Sequence, residues 1–461
     1  MVTVYGSKQL HKGGKIKMKK KLSSIIMLMV VLVISIVGIN TQSVTLKQEK
    51  IEPVAATGIS SEIKLKNLPC TYTVQKFYFA SDKDLYITFK PCTGTTSLLC
   101  HLNIEDDTAT CDSCILVNNS GHGMILTGEK VNGKTYLYVG YEAKKIKVAI
   151  NKKGDKPIEA HGIARIDYDS VDKFIFKNNK WVYYKNGTAT NMSYTSKNFY
   201  TSKNVANLAK KEAVYMPKVD GGDNTRILSF QELLGTDANK FVKFDFVIAA
   251  NGANMVYIKY RKNNTDYIKT MKLQNRVFNV MENNTDNTND IKAKTIGLEG
   301  SVINNSLSSM TKNTKCWQST AAWTRYDMFI TTQDKTLLGK DVKWANGKNI
   351  KWTDKIKKGS VGIYAVRSSN QKLNGHQYIE FKVPEDMVTS CKKIADNAKS
   401  YINKKNKNYK KYLEGYLIEV EGTQFIQDNT KKGTLYVLVR GAKDLEKGTS
   451  DQRILSKVIT K

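Results

Sequence analysis

The stretch NNSGHGMILTGE, Asn118 to Glu129, packs glycines around His122 and ends on a carboxylate. Glycine lets a backbone approach a ligand closely. A histidine held this way can present its imidazole as a base or hydrogen-bond partner, with Glu129 as the neighbouring acid. The same histidine reads equally as a satisfied residue on the inner strand of a sheet. Cys111-Asp-Ser-Cys114 is a second grouping. Completed by Cys92, Cys100 or His101 it would ligate zinc, but such sites pair two close cysteine spacings and this chain has one. In an oxidising compartment Cys70, Cys92, Cys100, Cys111 and Cys114 read instead as candidates for one or two disulfides, and the total of seven leaves a thiol over. Asp220-Gly-Gly-Asp223-Asn224 lacks the further oxygen ligands of a calcium loop and reads as a turn. Five histidines and no GxSxG, HExxH or phosphate-loop pattern give the expectation of a non-enzymatic protein without cofactor or metal.

The elements that would carry these residues are strands. Val74–Ala80, Asp84–Lys90, Ser97–Ile104, Thr135–Gly140 and Gly162–Tyr168 alternate apolar and polar side chains, as half-buried strands do. So do Thr225–Phe230, Phe241–Phe246, Met255–Tyr260, Tyr267–Leu273, Asp327–Thr332, Val361–Val366, Thr434–Arg440 and Ile454–Ile459. Turns such as Val131-Asn-Gly-Lys134 and Ala345-Asn-Gly-Lys348 favour hairpins. Hairpins repeated over about 400 residues predict an all-β, β-propeller-like domain over residues 44–461, with the blade number open. One segment departs from this. After Pro384, residues 385–413 place Val388, Cys391, Ile394, Ala398, Tyr401 and Ile402 at helical spacing and run into Lys404, Lys405, Lys407, Tyr409, Lys410 and Lys411. This basic amphipathic helix either packs on the domain or lies on an anionic surface, where tyrosines suit the interface.

Residues 1–17 read as translated leader: Lys12-Gly-Gly14 back-translates to a purine-rich ribosome-binding site ahead of Met18. Met18 to Lys21 and the apolar Leu22–Ile39 then form a signal segment over residues 18–43. It is either cleaved, giving a secreted protein, or retained as an anchor on the outer face, since the run approaches the ~20 residues that span a bilayer. The first 43 residues hold seven lysines and no acid, so +24 of the chain's net charge of +31 belongs to the remainder. Such charge keeps a protein soluble and also attracts polyanions. Outside a cell these are the anionic bacterial envelope, lipid headgroups or wall polymers, rather than nucleic acid.

Several motifs occur in a recognisable order: Gly121-His122, Thr135–Gly140 with Ala143-Lys-Lys-Ile146, and Ile163-Ala-Arg-Ile-Asp167. Glu212-Ala-Val214, Gly297-Leu-Glu-Gly300 with Met328–Gln333, and Glu419–Gln424 with Leu435–Val439 follow. Over roughly residues 115–460 this order resembles the helveticin J family of large secreted bacteriocins. The resemblance implies a propeller-like fold, no established cofactor and antibacterial action on related bacteria. After His122 the family carries Gln and then Trp-Glu, whereas this chain has Met124, Leu126 and Thr127, with Glu129 displaced. The motifs nominate His122, Glu129, Glu212, Glu299, Glu421 and Gln424 as binding residues.

Three readings follow. The first is a non-enzymatic bacteriocin acting at the envelope. The second is an adhesin or wall-polymer-binding module that meets a surface receptor or glycan. The third is a wall hydrolase using a carboxylate pair drawn from Glu129, Glu212, Glu299 and Glu421.

Overall fold

The computed structural model describes residues 51–52, 59–131, 133–143, 147–148, 160–217, 225–229, 240–250, 254–262, 265–272, 282–283, 290–292, 305–306, 317–324, 327–332, 342–343, 349–350, 362–369, 377–387, 389–390, 393, 418–443 and 450–460. The fold is all-β and propeller-like. Five four-stranded antiparallel units follow one another along the chain. Blade I holds Val74–Phe79, Asp84–Thr93, Thr96–Glu105 and Thr108–Val117. Blade II holds Leu126–Val131, Lys134–Ala143, Ala160–Asp167 and Thr225–Ser229, and the two-residue strand Ile51–Glu52 pairs along its first strand. Blade III is Lys240–Ile248, Asn254–Lys262, Thr265–Lys272 and Asn305–Ser306. Blade IV is Trp317–Thr324, Asp327–Thr332, Gly362–Ser369 and Gln377–Lys382.

Blade V closes the ring. Its first three strands are Ile418–Asn429, Lys432–Lys443 and Ser450–Thr460, and its fourth is Glu62–Lys66, from the other end of the chain. Ile63 faces Ile454 across that seam. Arg453 reinforces it, bonding Glu62 at 2.7 Å and Asp386 at 2.8 and 2.9 Å. The first strand of each blade touches the first strands of the blades on either side, in the cyclic order I, II, III, IV, V and back to I. These five strands surround the axis.

The blades pack through apolar faces. Phe77, Phe79, Leu85 and Leu98 of blade I meet Ile426, Tyr436 and Leu438 of blade V. Tyr78, Leu99 and Ile115 of blade I meet Leu137, Val139 and Ile166 of blade II. Trp323 and Phe329 of blade IV lie 4.7 and 4.9 Å from the Phe425 ring of blade V. At the expected hairpin Val131 pairs with Lys134, and Gly133 has φ of +79°.

Two features go beyond the expectation. Lys173–Lys177, Lys180–Lys185 and Thr188–Tyr194 extend the outer edge of blade I, Phe174 facing Cys114. A short helix, Ser202–Lys210, capped by the Thr201 side chain on Asn204 N–H, buries Val205 and Leu208. After Pro384, residues 385–387, 389–390 and 393 are helical, as the spacing predicted. Lys404, Lys405, Lys407, Tyr409, Lys410 and Lys411 lie outside the described residues, as do Cys316, Cys391, the signal segment, Asp220–Asn224 and Ala345–Lys348. Among the described residues no helix is long and apolar enough to cross a membrane.

The five early cysteines, the disulfide candidates, are in the reduced, unbonded form in this structure. Cys100, Cys111 and Cys114 are buried in the core of blade I, and Cys70 and Cys92 pack against its margin.

His101 sits on blade I with a carboxylate at each ring nitrogen, Asp112 on Nδ1 at 2.9 Å and Asp84 on Nε2 at 3.1 Å. A neutral imidazole can donate to only one of them. Burial pulls the imidazole down, and the bonds and charges of Asp112 and Asp84 outweigh it, so its pKa is raised above the ordinary 6.5. A raised folded-state value contributes stability that is full below the unfolded value and is lost as pH rises through the folded one. The melting temperature of the wild type relative to His101→Gln should therefore be highest near pH 6 and fall toward about pH 8. A gap that widens with pH would refute this pairing.

Candidate functional site

Half of the buried polar side chains among the described residues lie on the five first strands. Lys76 of blade I is 2% exposed, yet its side chain ends among oxygens. Nζ donates to Asp245 Oδ2 of blade III at 2.7 Å, to the Ser319 hydroxyl of blade IV, and to the Thr320 carbonyl at 3.5 Å. Blades III and IV are not neighbours of blade I in the ring, so the ammonium spans its interior. The Asp245 carboxylate also accepts from Thr320 N–H at 2.9 Å. Thr423 of blade V donates to Ser319 Oγ from both its amide, at 3.1 Å, and its hydroxyl, at 2.8 Å. One cation thus ties four blades together.

Two further carboxylates lie on first strands. Glu129 of blade II, 3% exposed, accepts from the Tyr138 hydroxyl and pairs with Arg165 Nη2 at 3.3 Å. Arg165 lies 3.8 Å over the Tyr136 ring, a cation–π contact. Alternation explains the grouping. Glu129 pairs with Tyr136, and Tyr138 with Arg165, so all four side chains share one face of blade II. Glu421 of blade V, 5% exposed, pairs with Arg440 Nε at 3.5 Å.

The first strands are built irregularly to allow this. Bulges fall between Val74 and Lys76, Phe241 and Lys243, Trp317 and Ser319, and Val420 and Gly422. Glu421 is itself the extra residue of its bulge. Bulges re-aim side chains and concentrate beside functional sites. Asp245 Oδ1 and the Tyr78 hydroxyl are buried polar atoms with no hydrogen-bond partner among the described residues. The Tyr78 phenol is pushed far up, first by burial and then by the charge of Glu129.

The nominated residues divide. Glu129 and Glu421 are brought to the first strands. Gln424 is on the same strand as Glu421, but its amide is occupied as a staple: Oε1 accepts from Phe79 N–H at 2.7 Å and Nε2 donates to Phe79 O at 3.2 Å. His122 is exposed on the linker between blades I and II. The glycine beside it answers to packing, since a Cβ on Gly123 would lie 2.6 Å from Phe89 O. Glu212 begins no strand; it follows the Ser202–Lys210 helix, exposed, at φ +57°. Glu299 lies outside the described residues. Sequence reasoning missed Lys76, Asp245, Ser319 and Thr423. Among the described residues no group of three or more His, Cys, Asp or Glu is arranged to hold a metal ion.

No family model matches the chain, and no curated protein matches it. Solved structures similar to it include a GH43_1 enzyme from Xanthomonas citri, at TM-score 0.33 and 10% identity, covering 89% of this chain and 91% of that one. The same enzyme complexed with xylose gives TM-score 0.33, 9% identity and coverage of 90% and 94%. A mannose phosphorylase from Leishmania mexicana gives 0.28, 8%, 90% and 91%. The expectation of a non-enzymatic bacteriocin is corrected to this extent: these similar structures are enzymes, one complexed with xylose and one a mannose phosphorylase, and none of the three is a bacteriocin. In this chain the helveticin-like motifs Thr135–Gly140 and Ile163–Asp167 are adjacent strands of blade II.

Removing one member of the Lys76–Asp245 pair strands a buried charge. Lys76→Ala should cost about 3–5 kcal/mol of unfolding free energy in urea. The double variant Lys76→Met/Asp245→Asn keeps an acceptor for Thr320 N–H and should recover most of it. Equal loss in the single and double variants would show that packing, not charge, matters here.

Proposed function

We propose that the chain is a carbohydrate-active protein that engages a glycan at its first strands. The observation that carries this reading is the set of carboxylates placed there by three different blades, Glu129, Asp245 and Glu421, with Asp245 Oδ1 still holding acceptor capacity. Carboxylates opposed by fixed cations are suited to accepting hydrogen bonds from sugar hydroxyls. A pair of carboxylates flanking a glycosidic bond is also the minimal equipment for its hydrolysis. Of the wall-hydrolase candidates, Glu129 and Glu421 fit this role and Glu212 does not.

The net charge of +31 favours an anionic glycan, such as an acidic wall polymer, over a neutral one. The apolar Leu22–Ile39 segment supports export to the compartment where such polymers occur. A second reading, binding without cleavage, is favoured by the ion pairing of each acid, which leaves cleavage chemistry to compete with structure at the same groups.

The test incubates the purified chain with uronate-rich wall polysaccharide and with neutral xylan and mannan, recording sedimented protein and new reducing ends. We expect binding to the acidic polymer, weakened by salt, and reducing ends that fall at least about tenfold in Glu129→Gln and Glu421→Gln. Binding with no reducing ends leaves the module reading. No binding to any glycan refutes the proposal.

A further inference from the structure

The core of blade I contains three fully buried thiols that the acids of the first strands do not touch. Cys100, on Thr96–Glu105, is the direct cross-strand partner of Cys114, on Thr108–Val117. Residues opposite one another on antiparallel strands hold their Cα atoms about 4.5–5.5 Å apart. That separation lies within the range a disulfide bridges. Cys111 is three residues from Cys114, and strict alternation would send it to the other face of the sheet. A bulge prevents this. The register passes from His101↔Ser113 to Leu102↔Cys111, leaving Asp112 as the extra residue. Asp112 faces outward onto His101 and Asn103, and Cys111 turns inward beside Cys114. All three thiols are at most 1% exposed and pack in one hydrophobic cluster.

We propose that Cys100 is the hub of a thiol–disulfide exchange site, bonding either Cys114 or Cys111, with the bond passing between them. The oxidant is a low-molecular-weight disulfide. The Cys100 thiolate attacks it, forming a mixed disulfide and releasing one small thiol. The Cys114 thiolate then displaces the second small thiol and closes the Cys100–Cys114 bond. Two protein thiols lose two electrons and two protons, and the small disulfide gains both as two thiols. Exchange needs no further oxidant: the Cys111 thiolate attacks Cys100 sulfur, the Cys100–Cys111 bond forms and Cys114 leaves as the thiol. Burial pushes the Cys100 and Cys114 thiols up, which slows attack in the folded chain. The bond is therefore set while blade I assembles.

The experiment refolds the full chain in mixed reduced and oxidised glutathione, blocks free thiols under denaturing conditions and maps the bonded peptides. The wild type should carry Cys100 in a disulfide with Cys114, Cys111 or a mixture of both. Cys111→Ala should retain Cys100–Cys114, Cys114→Ala should retain Cys100–Cys111, and Cys100→Ala should leave Cys111 and Cys114 as thiols. A Cys111–Cys114 bond with Cys100 free overturns the proposal. So does a folded wild type in which all three stay reduced, or in which Cys100 pairs with Cys70 or Cys92. Should Cys100→Ala fail to fold by circular dichroism, the wild-type map decides alone.

Discussion

A single ammonium inside the ring sets the terms for the rest of the molecule. Lys76 leaves blade I and reaches Asp245 of blade III and Ser319 of blade IV, which in turn holds Thr423 of blade V. An ion pair this deep gains little net free energy, because both charges give up water to form it. What it supplies is selection. Apolar interfaces tolerate sliding and repacking, whereas an ammonium without its carboxylate is costly, so only one relative setting of the blades satisfies it. The pair therefore specifies geometry more than it adds stability.

That geometry forces the character of the first strands. They approach too closely for ordinary strand residues. A Cβ on Gly422 would lie 3.1 Å from the Phe77 ring and 3.2 Å from Lys76 Cα, and one on Gly128 would lie 2.4 Å from the Tyr78 ring. Small and hydroxyl-bearing residues occur there in place of large apolar ones: Ser319, Thr320, Ala321 and Ala322 in blade IV, Thr127 and Gly128 in blade II. The bulges at Gln75, Gln318 and Glu421 belong to the same compromise, spending a ladder bond to swing one polar side chain where alternation would not put it.

This is also why the sequence discloses the rim better than the centre. Asp84–Thr93 and Lys134–Ala143 alternate in sequence and both are strands, although residues 85–89 and 137–141 are buried on both faces. Leu126–Val131 and Trp317–Thr324 carry no such signal, since their polar residues point inward, and no strand is expected there from pattern alone. The Ser202–Lys210 helix offers only Val205 and Leu208 at helical spacing, too little to register. Lys76 sits in Val-Gln-Lys-Phe-Tyr-Phe, where a lysine reads as the solvent side of a strand. Its partner lies 169 residues away. Glu129 and Glu421 were reachable only through motif order. Glu212 failed because a glutamate that closes a short helix and one that opens a strand look alike when the helix itself goes unseen.

The two electrostatic features of the chain operate on different scales. Surface lysines act through solvent, where attraction decays over a Debye length of about 8–10 Å in physiological salt. They raise the local concentration of any polyanion and distinguish poorly between one acidic polymer and another. The axial carboxylates act through hydrogen bonds at fixed angles in a buried setting, where salt screens little and a misplaced hydroxyl leaves a buried acceptor unpaired. On the proposed glycan-binding reading, capture and discrimination fall to separate groups. The charge excess that makes the chain look promiscuous is compatible with a selective site, because selectivity depends on how rigidly Lys76 holds Asp245 and not on how many lysines face the solvent.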